Sequence, residues 1–266
     1  MVDGAIVAKH DINFYSEKEV SNLQLFTDNL FASSGQFSGY SVIHKFGHNT
    51  DVATNYETLW SFGATYSYLS SATLLKLSSS DTNDDDGDTG ARTVLVQGLD
   101  SDYNEIEETV TLNGQLAVET QNQYLRVFRM IVKSVGSSGY NEGIVYAGTG
   151  TVSSGVPANV YAEIPAGYNQ TMMSVYTVPA NKTGYMTMFY AQPDDNKGFQ
   201  TRLLTQEIDG IMRIRNQLHA FQSQANFNYL PYLKINEKTD LEIQVKIDQG
   251  TAEFGGGFSL TLVDND

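Results

Sequence analysis

A chain of 266 residues that is 41% hydrophobic and 18% charged, with 16 Tyr, 13 Phe and 5 Pro, can bury a sizeable core and is neither disordered nor collagen-like. Its lack of cysteine excludes disulfide frameworks, Cys-ligated zinc, iron–sulfur clusters and thiol catalysis. A net charge of −15, from 31 acids against 16 bases, disfavours nucleic acid and anionic membranes as partners, because both need clustered Lys and Arg.

The opening residues MVDGAIVAKHDINF include Asp3 and no long apolar run, so no signal peptide is expected. Nowhere does an apolar run reach the roughly 18 residues that would cross a bilayer. Ser16-Glu17-Lys18-Glu19 fits a capping box, and Val20, Leu23, Phe26 and Leu30 follow at near-helical spacing, which predicts a short helix within residues 17–27. Around it, Phe14, Tyr15, Phe26, Phe31, Phe37 and Tyr40 stand in small, polar text as candidate interface anchors. Residues 1–55 are therefore expected to be an extension or arm. His44 and His48 have the spacing of a helical metal pair, but Phe46-Gly47 between them argues against a helix, and no third ligand is adjacent.

From Tyr56 onward the hydrophobic period becomes two and turn signals recur at short intervals, the pattern of a sandwich or barrel. Two β-rich lobes are expected, over residues 56–168 and 169–266. Residues 81–108 hold ten acids and one base, Arg92. Within them, Thr82-x-Asp84-x-Asp86-Gly87 resembles the start of a calcium loop, yet Thr93 stands where a bidentate Glu is required. A solvated polar loop over Asp81–Asp88 is the favoured reading, with a weak calcium site as the alternative. Thr93–Leu99 and Ile106–Leu112 should pair as a hairpin, and Asn113-Gly114 reads as a tight turn. Further strands are expected at 124–132, 143–147 and 159–164, then at 171–178, turning through 179–184 into 185–191. Arg126, Arg129 and Lys133, with Arg213 and Arg215 later, form the nearest approach to a basic cluster. Asp209-Gly210 should join strands 199–208 and 211–217. Near the end, Leu241, Ile243, Val245 and Ile247 alternate with Glu242, Gln244, Lys246 and Asp248, predicting one buried face and one wet face. Phe258–Leu262 repeats the pattern after Gly255-Gly256-Gly257. No fixed-period repeat is evident, which argues against a solenoid or propeller. The fold expected is all-β: an antiparallel β-sandwich, jelly-roll-like and in one lobe or two, preceded by the extension.

No nucleophile elbow, phosphate-cradling loop or zinc-protease helix is present, so no catalytic, metal or cofactor residues are assigned. The run His44-Lys45-Phe46-Gly47-His48-Asn49-Thr50-Asp51-Val52 with Tyr56-Glu57-Thr58-Leu59-Trp60, followed by Gly90-Ala91-Arg92-Thr93-Val94, Glu108–Gly114, Asn169–Met173, Tyr176–Ala180 and Ile235–Leu241, resembles virion-associated structural proteins of marine tailed bacteriophages. The resemblance covers residues 42–266 in patches, and residues 1–41 have no counterpart in it. It implies a particle component located in the virion, with other virion proteins, the major capsid protein among them, and further copies of itself as partners. It supplies no catalytic residues. The function expected is non-enzymatic: a capsid-associated decoration, cement or vertex protein. A carbohydrate-binding or host-recognition module, using some of the 16 Tyr and Trp60 to stack on sugar rings, is the alternative.

Overall fold

The computed structural model describes residues 33–35 and 38–265, so the helix expected at 17–27 lies outside the described residues. The regular elements described are sixteen strands. In chain order they are β1 (Tyr40–Val52), β2 (Glu57–Thr58), β3 (Thr73–Ser79), β4 (Ala91–Leu99), β5 (Glu105–Thr111), β6 (Val118–Tyr124), β7 (Arg126–Val135) and β8 (Val145–Ser153). They continue as β9 (Val156–Ile164), β10 (Val175–Thr177), β11 (Lys182–Pro193), β12 (Gly198–Gln206), β13 (Arg213–Phe221), β14 (Ala225–Ile235), β15 (Asp240–Ile247) and β16 (Ala252–Asp264). All ladders between them are antiparallel.

Four sheets result. Two have the orders β1-β16-β11-β14 and β10-β15-β12-β13, with β2 also pairing β15. The other two have the orders β6-β3-β8-β9 and β5-β4-β7. One apolar cluster draws on the first two sheets, through residues such as Phe258, Phe189, Phe199 and Ile243. A second draws on the other two, through Leu75, Val94, Tyr124 and Met130. Period-two side-chain alternation explains why each strand can fill a core: Phe254, Phe258, Leu260 and Leu262 of β16 are all buried. Each fully buried Phe or Leu contributes about 1.5–3 kcal/mol relative to exposure. Phe199 and Phe254 also meet edge to face, their ring centroids 5.4 Å apart.

The expected hairpins at β4–β5 and, through Asp209-Gly210, at β12–β13 are present. Three expectations are corrected. Residues 40–52 of the expected extension form β1, which pairs with β16 along most of its length. The strands expected to pair across 179–184 belong to different sheets, β10 with β15 and β11 with β16 and β14. Asn113-Gly114 likewise carries the chain from one sheet to another. Gly114 adopts a φ of +55°, and a Cβ there would stand 2.8 Å from the Thr82 carbonyl oxygen.

The two cores share a wall. Leu59 and Val178 lie in the first core and Trp60 and Val175 in the second, so neighbouring residues of the same segments point into different interiors. The segments are stitched by hydrogen bonds from Leu59 N to Ile243 O at 2.8 Å and from Ser174 N to Leu59 O at 2.9 Å. β1 passes so close at Gly47 that a Cβ there would stand 2.0 Å from the Leu59 oxygen. Across this wall Arg126 of β7 reaches Asp240 of β15: Nε and Nη2 each donate to one carboxylate oxygen at 2.8 Å. Nη1 donates to the carbonyls of Leu69 and Leu125, Thr177 Oγ1 donates to Asp240 at 2.6 Å, and Arg126 lies 5.0 Å over the Tyr68 ring.

Both partners of this pair are buried. Removing one of them leaves a lone charge in a dry wall, whereas an apolar pair of similar volume removes both penalties. Asp240→Ala should lower unfolding stability by about 3–5 kcal/mol, and Arg126→Met combined with Asp240→Leu should recover most of that loss. Urea denaturation of the three proteins checks this, and equal stability of Asp240→Ala and the parent would contradict it.

Candidate functional site

Of the six candidate interface residues, Phe14, Tyr15, Phe26, Phe31 and Phe37 lie outside the described residues. Tyr40 opens β1 opposite Val263 and is 43% exposed. His44 and His48 share a face of β1 but serve different partners: His44 Nδ1 lies 2.8 Å from Ser259 Oγ, and His48 Nε2 lies 2.7 Å from Glu253 Oε1. Among the described residues no group of three or more His, Asp or Glu side chains is placed to hold a metal. The basic cluster also divides. Arg126 is taken up by Asp240, while Arg129 lines a cleft nearby.

The acidic loop is not uniformly solvated. Asp84 is fully buried. Its Oδ1 accepts from the backbone N–H groups of Ala91 (2.7 Å) and Glu142 (2.9 Å), and its Oδ2 from Gly143 N–H (2.9 Å) and Ser79 Oγ (2.6 Å). Four donors saturate the carboxylate and tie the 81–88 loop to the entry of β4 and the approach to β8. A Cβ at Gly90 would fall 2.2 Å from Oδ1, so that glycine is part of the knot. The alternating-oxygen pattern that resembled a calcium loop therefore presents its central carboxylate to the protein's own backbone.

The polar face of β15 is not wet either, another correction. Glu242 and Gln244 are buried. The Glu242 carboxylate accepts from Tyr68 Oη (3.2 Å), Thr58 Oγ1 (3.4 Å) and Gln244 Nε2, and Arg202 binds the Gln244 oxygen. Burial pushes the Glu242 carboxyl up to about 7 despite those hydrogen bonds.

Two clefts open nearby. The first, about 460 Å³, lies between β1 and the β4–β5–β7 sheet and is lined by Lys45, Phe128, Arg129, Glu105, Glu107 and Tyr176 among others. Lys45 Nζ donates to the Phe128 carbonyl, and burial, then the Arg129 charge, lower its ammonium to about 7. The second, about 580 Å³, is a shallower groove with Phe46, His48, Tyr190, Gln192, Asp194 and Glu253 on its walls.

The largest departure from a quiet surface is at β13 and β14. Among the described residues these two strands form the far edges of the first two sheets, at the ends opposite β1 and β10. Exposed apolar residues gather there: Ile211 (72%), Ile214, Phe221 (65%), Phe227 and Leu230 (79%). The register explains Leu230. Between the pairs Met186↔Leu233 and Met188↔Asn228, β14 places Tyr229–Tyr232 opposite Thr187 alone, and this bulge pushes the Leu230-Pro231 step outward. Long open edges with exposed apolar residues are surfaces on which other chains dock. The sequence pattern marks a strand over 211–217 and none over Phe227–Leu230, and neither the strand β14 nor the exposure of these residues is set by the local pattern.

No family model matches the chain. No curated protein matches it in sequence. Among solved structures, that of infectious bursal disease virus, Gt strain, covers 85% of this chain and 71% of its own at 11% identity, with a TM-score of 0.24. The Gx strain structure gives 11% identity, 85% and 72% coverage and a TM-score of 0.25. A subviral particle of the same virus's VP2 gives 12% identity, 86% and 73% coverage and a TM-score of 0.24. Superpositions this low do not equate folds.

Four measurements follow from the buried acids and Lys45. Asp84→Ala should destabilise the protein by about 3 kcal/mol or more, since it strands three backbone N–H donors, and millimolar calcium should leave the melting temperature of the parent unchanged. For Glu242, a folded pKa of about 7 against the ordinary 4.5 means that the folded state holds the extra proton. Its contribution is complete below about pH 4.5 and is lost as pH rises through 7; Glu242→Gln should flatten that fall in a series of melts. Lys45 has the opposite sign: its pKa is lowered from 10.5 to about 7, so the parent gains stability from pH 7 towards 10.5, and Lys45→Met should abolish the gain.

Proposed function

We propose that this protein is a non-enzymatic structural component of a bacteriophage virion, bound to the capsid and acting through contacts with copies of itself and with the major capsid protein. The observation that carries the reading is the strand order. Setting β2 aside, β1 and β10–β16 make eight strands, of which the first pairs with the eighth, the second with the seventh, the third with the sixth and the fourth with the fifth. Nested antiparallel pairs of this kind arise when one long hairpin rolls up into two sheets, which is the plan of the jelly roll, an architecture used by viral capsid and lectin domains. The β3–β9 lobe would be an insertion between the first and second strands of that roll. Architecture alone does not assign a role. The open apolar edge at β13–β14 and the resemblance over residues 42–266 are what favour assembly over other uses.

The same architecture serves sugar-binding proteins, and the 580 Å³ groove, with Phe46 and Tyr190 beside Gln192, Asp194 and Glu253, combines stacking faces with hydrogen-bonding groups. It supports glycan recognition at the particle surface as the second reading.

Quantitative mass spectrometry of purified particles separates the two. The structural reading expects the chain in the particle at a fixed ratio to the major capsid protein, and a purified protein that self-associates. Absence from particles, together with glycan binding that Tyr190→Ala abolishes, would overturn it in favour of the second.

A further inference from the structure

Resting on the assembly reading, we propose that the β13–β14 edge of one copy docks on the acidic β3–β9 lobe of a second copy, in a head-to-tail contact. The stretch from Ile211 to Asn236 contains Arg213, Arg215 and Lys234 and no Asp or Glu, in a chain whose net charge is −15. All three bases are exposed, and so are Ile211, Ile214, Phe221, Phe227 and Leu230 on the same two edge strands and the turn before them. The face is thus mainly basic and apolar; its nearest acids in the chain are Asp209, in the β12–β13 turn, and Glu237, which follows Asn236, while Asp248 meets His219 of β13 at 2.9 Å. Residues 81–108, all within the other lobe, carry ten acids against Arg92, of which Asp84 is buried and the other nine are at least partly exposed. Asp86 and Asp88 are exposed there, and Leu116, 67% exposed, lies beside them, because Asn113 bridges to both Asp85 and Leu116. One edge carries arginines and exposed apolar side chains, and the other lobe carries exposed carboxylates and a leucine.

Charge selects the occupant. A second copy brings the required negative surface with it, and opposite charges across a rim steer and orient association. The edge is not built for strand addition: Pro231 removes a backbone donor from β14, and the bulge at Tyr229–Tyr232 breaks its line. Docking therefore uses side chains, with Leu230 and Ile211 entering the partner surface and the arginines flanking them. Because the two surfaces are different and lie on different lobes, the contact does not satisfy itself in a twofold pair. It propagates into a ring or an array.

The test uses the full-length protein and three variants: Arg213→Glu/Arg215→Glu, Asp86→Arg/Asp88→Arg, and the four changes combined. Sedimentation velocity over a concentration series at about 50 and 500 mM salt reads the association, and circular dichroism checks that each variant is folded. The parent should associate more weakly at high salt. Each two-site variant should lose association by about 100-fold, since like charges then face each other, and the four-site variant should recover it. An equimolar mixture of the two two-site variants pairs the intact edge with the intact acidic lobe and the two reversed surfaces with each other, so it should recover the association that neither variant shows alone. If the parent self-associates but the charge variants do so equally well, the proposed contact is wrong while the assembly reading stands. A parent that stays monomeric at every concentration, and is missing from particles, sinks both. Should a variant fail to fold, the salt response of the parent decides alone: association that is indifferent to salt overturns the proposal.

Discussion

Arg126 and Asp240 meet through two parallel hydrogen bonds inside the wall that separates the two cores, and the relation between those cores depends on that contact. β7 belongs to one pair of sheets and β15 to the other. An isolated guanidinium or carboxylate at this depth would be costly, so each side chain makes the other's burial tolerable. The planar fork of Arg also fixes direction, which a stack of aliphatic side chains would not. Thr177 adds a third donor to the carboxylate, and Tyr68 and Tyr103 place rings against the guanidinium. The wall is therefore polar at its centre and apolar on both sides, where Leu59 and Trp60 diverge into different interiors.

The same logic governs the other inward-facing acids. Asp84 and Glu242 are each surrounded by donors, and their surroundings differ in kind. Asp84 is fed mainly by backbone N–H groups of a loop that it holds together. Glu242 is fed by side chains, Tyr68, Thr58 and Gln244, in a position where burial favours the neutral form. A strongly acidic chain thus spends a few carboxylates on architecture and leaves most of the remainder on the surface. The surface is divided as well. Acids dominate residues 81–108, while Ile211–Asn236 has none. That asymmetry between lobes gives two copies a reason to meet in one orientation, which uniform charge would not.

Much of the local structure was legible in the residues. Alternation of Leu241, Ile243, Val245 and Ile247 marks a strand because side chains on a strand repeat every two positions. Asp209-Gly210 marks a hairpin because those residues tolerate positive φ, and Asp209 adopts +56°. Thr93–Leu99 and Ile106–Leu112 pair as nearest neighbours in the chain, where loop closure is cheap. The candidate surface was not legible: Phe227 and Phe189 have similar strand contexts, yet one is 38% exposed and the other buried.

By itself, then, the sequence determined that the chain is all-β, where most of its strands lie, and that its charge is acidic and unevenly distributed, because these depend on side-chain type and short-range geometry. Only the tertiary structure decided that β1 pairs with β16 across some two hundred residues, that the polar face of β15 is buried and that Asp84 turns inward. It alone decided, too, that among the described residues the edge at β13–β14 is left without a further strand. Strand partners are chosen by non-local burial, and a period-two pattern tells which residues share a face without telling what that face meets.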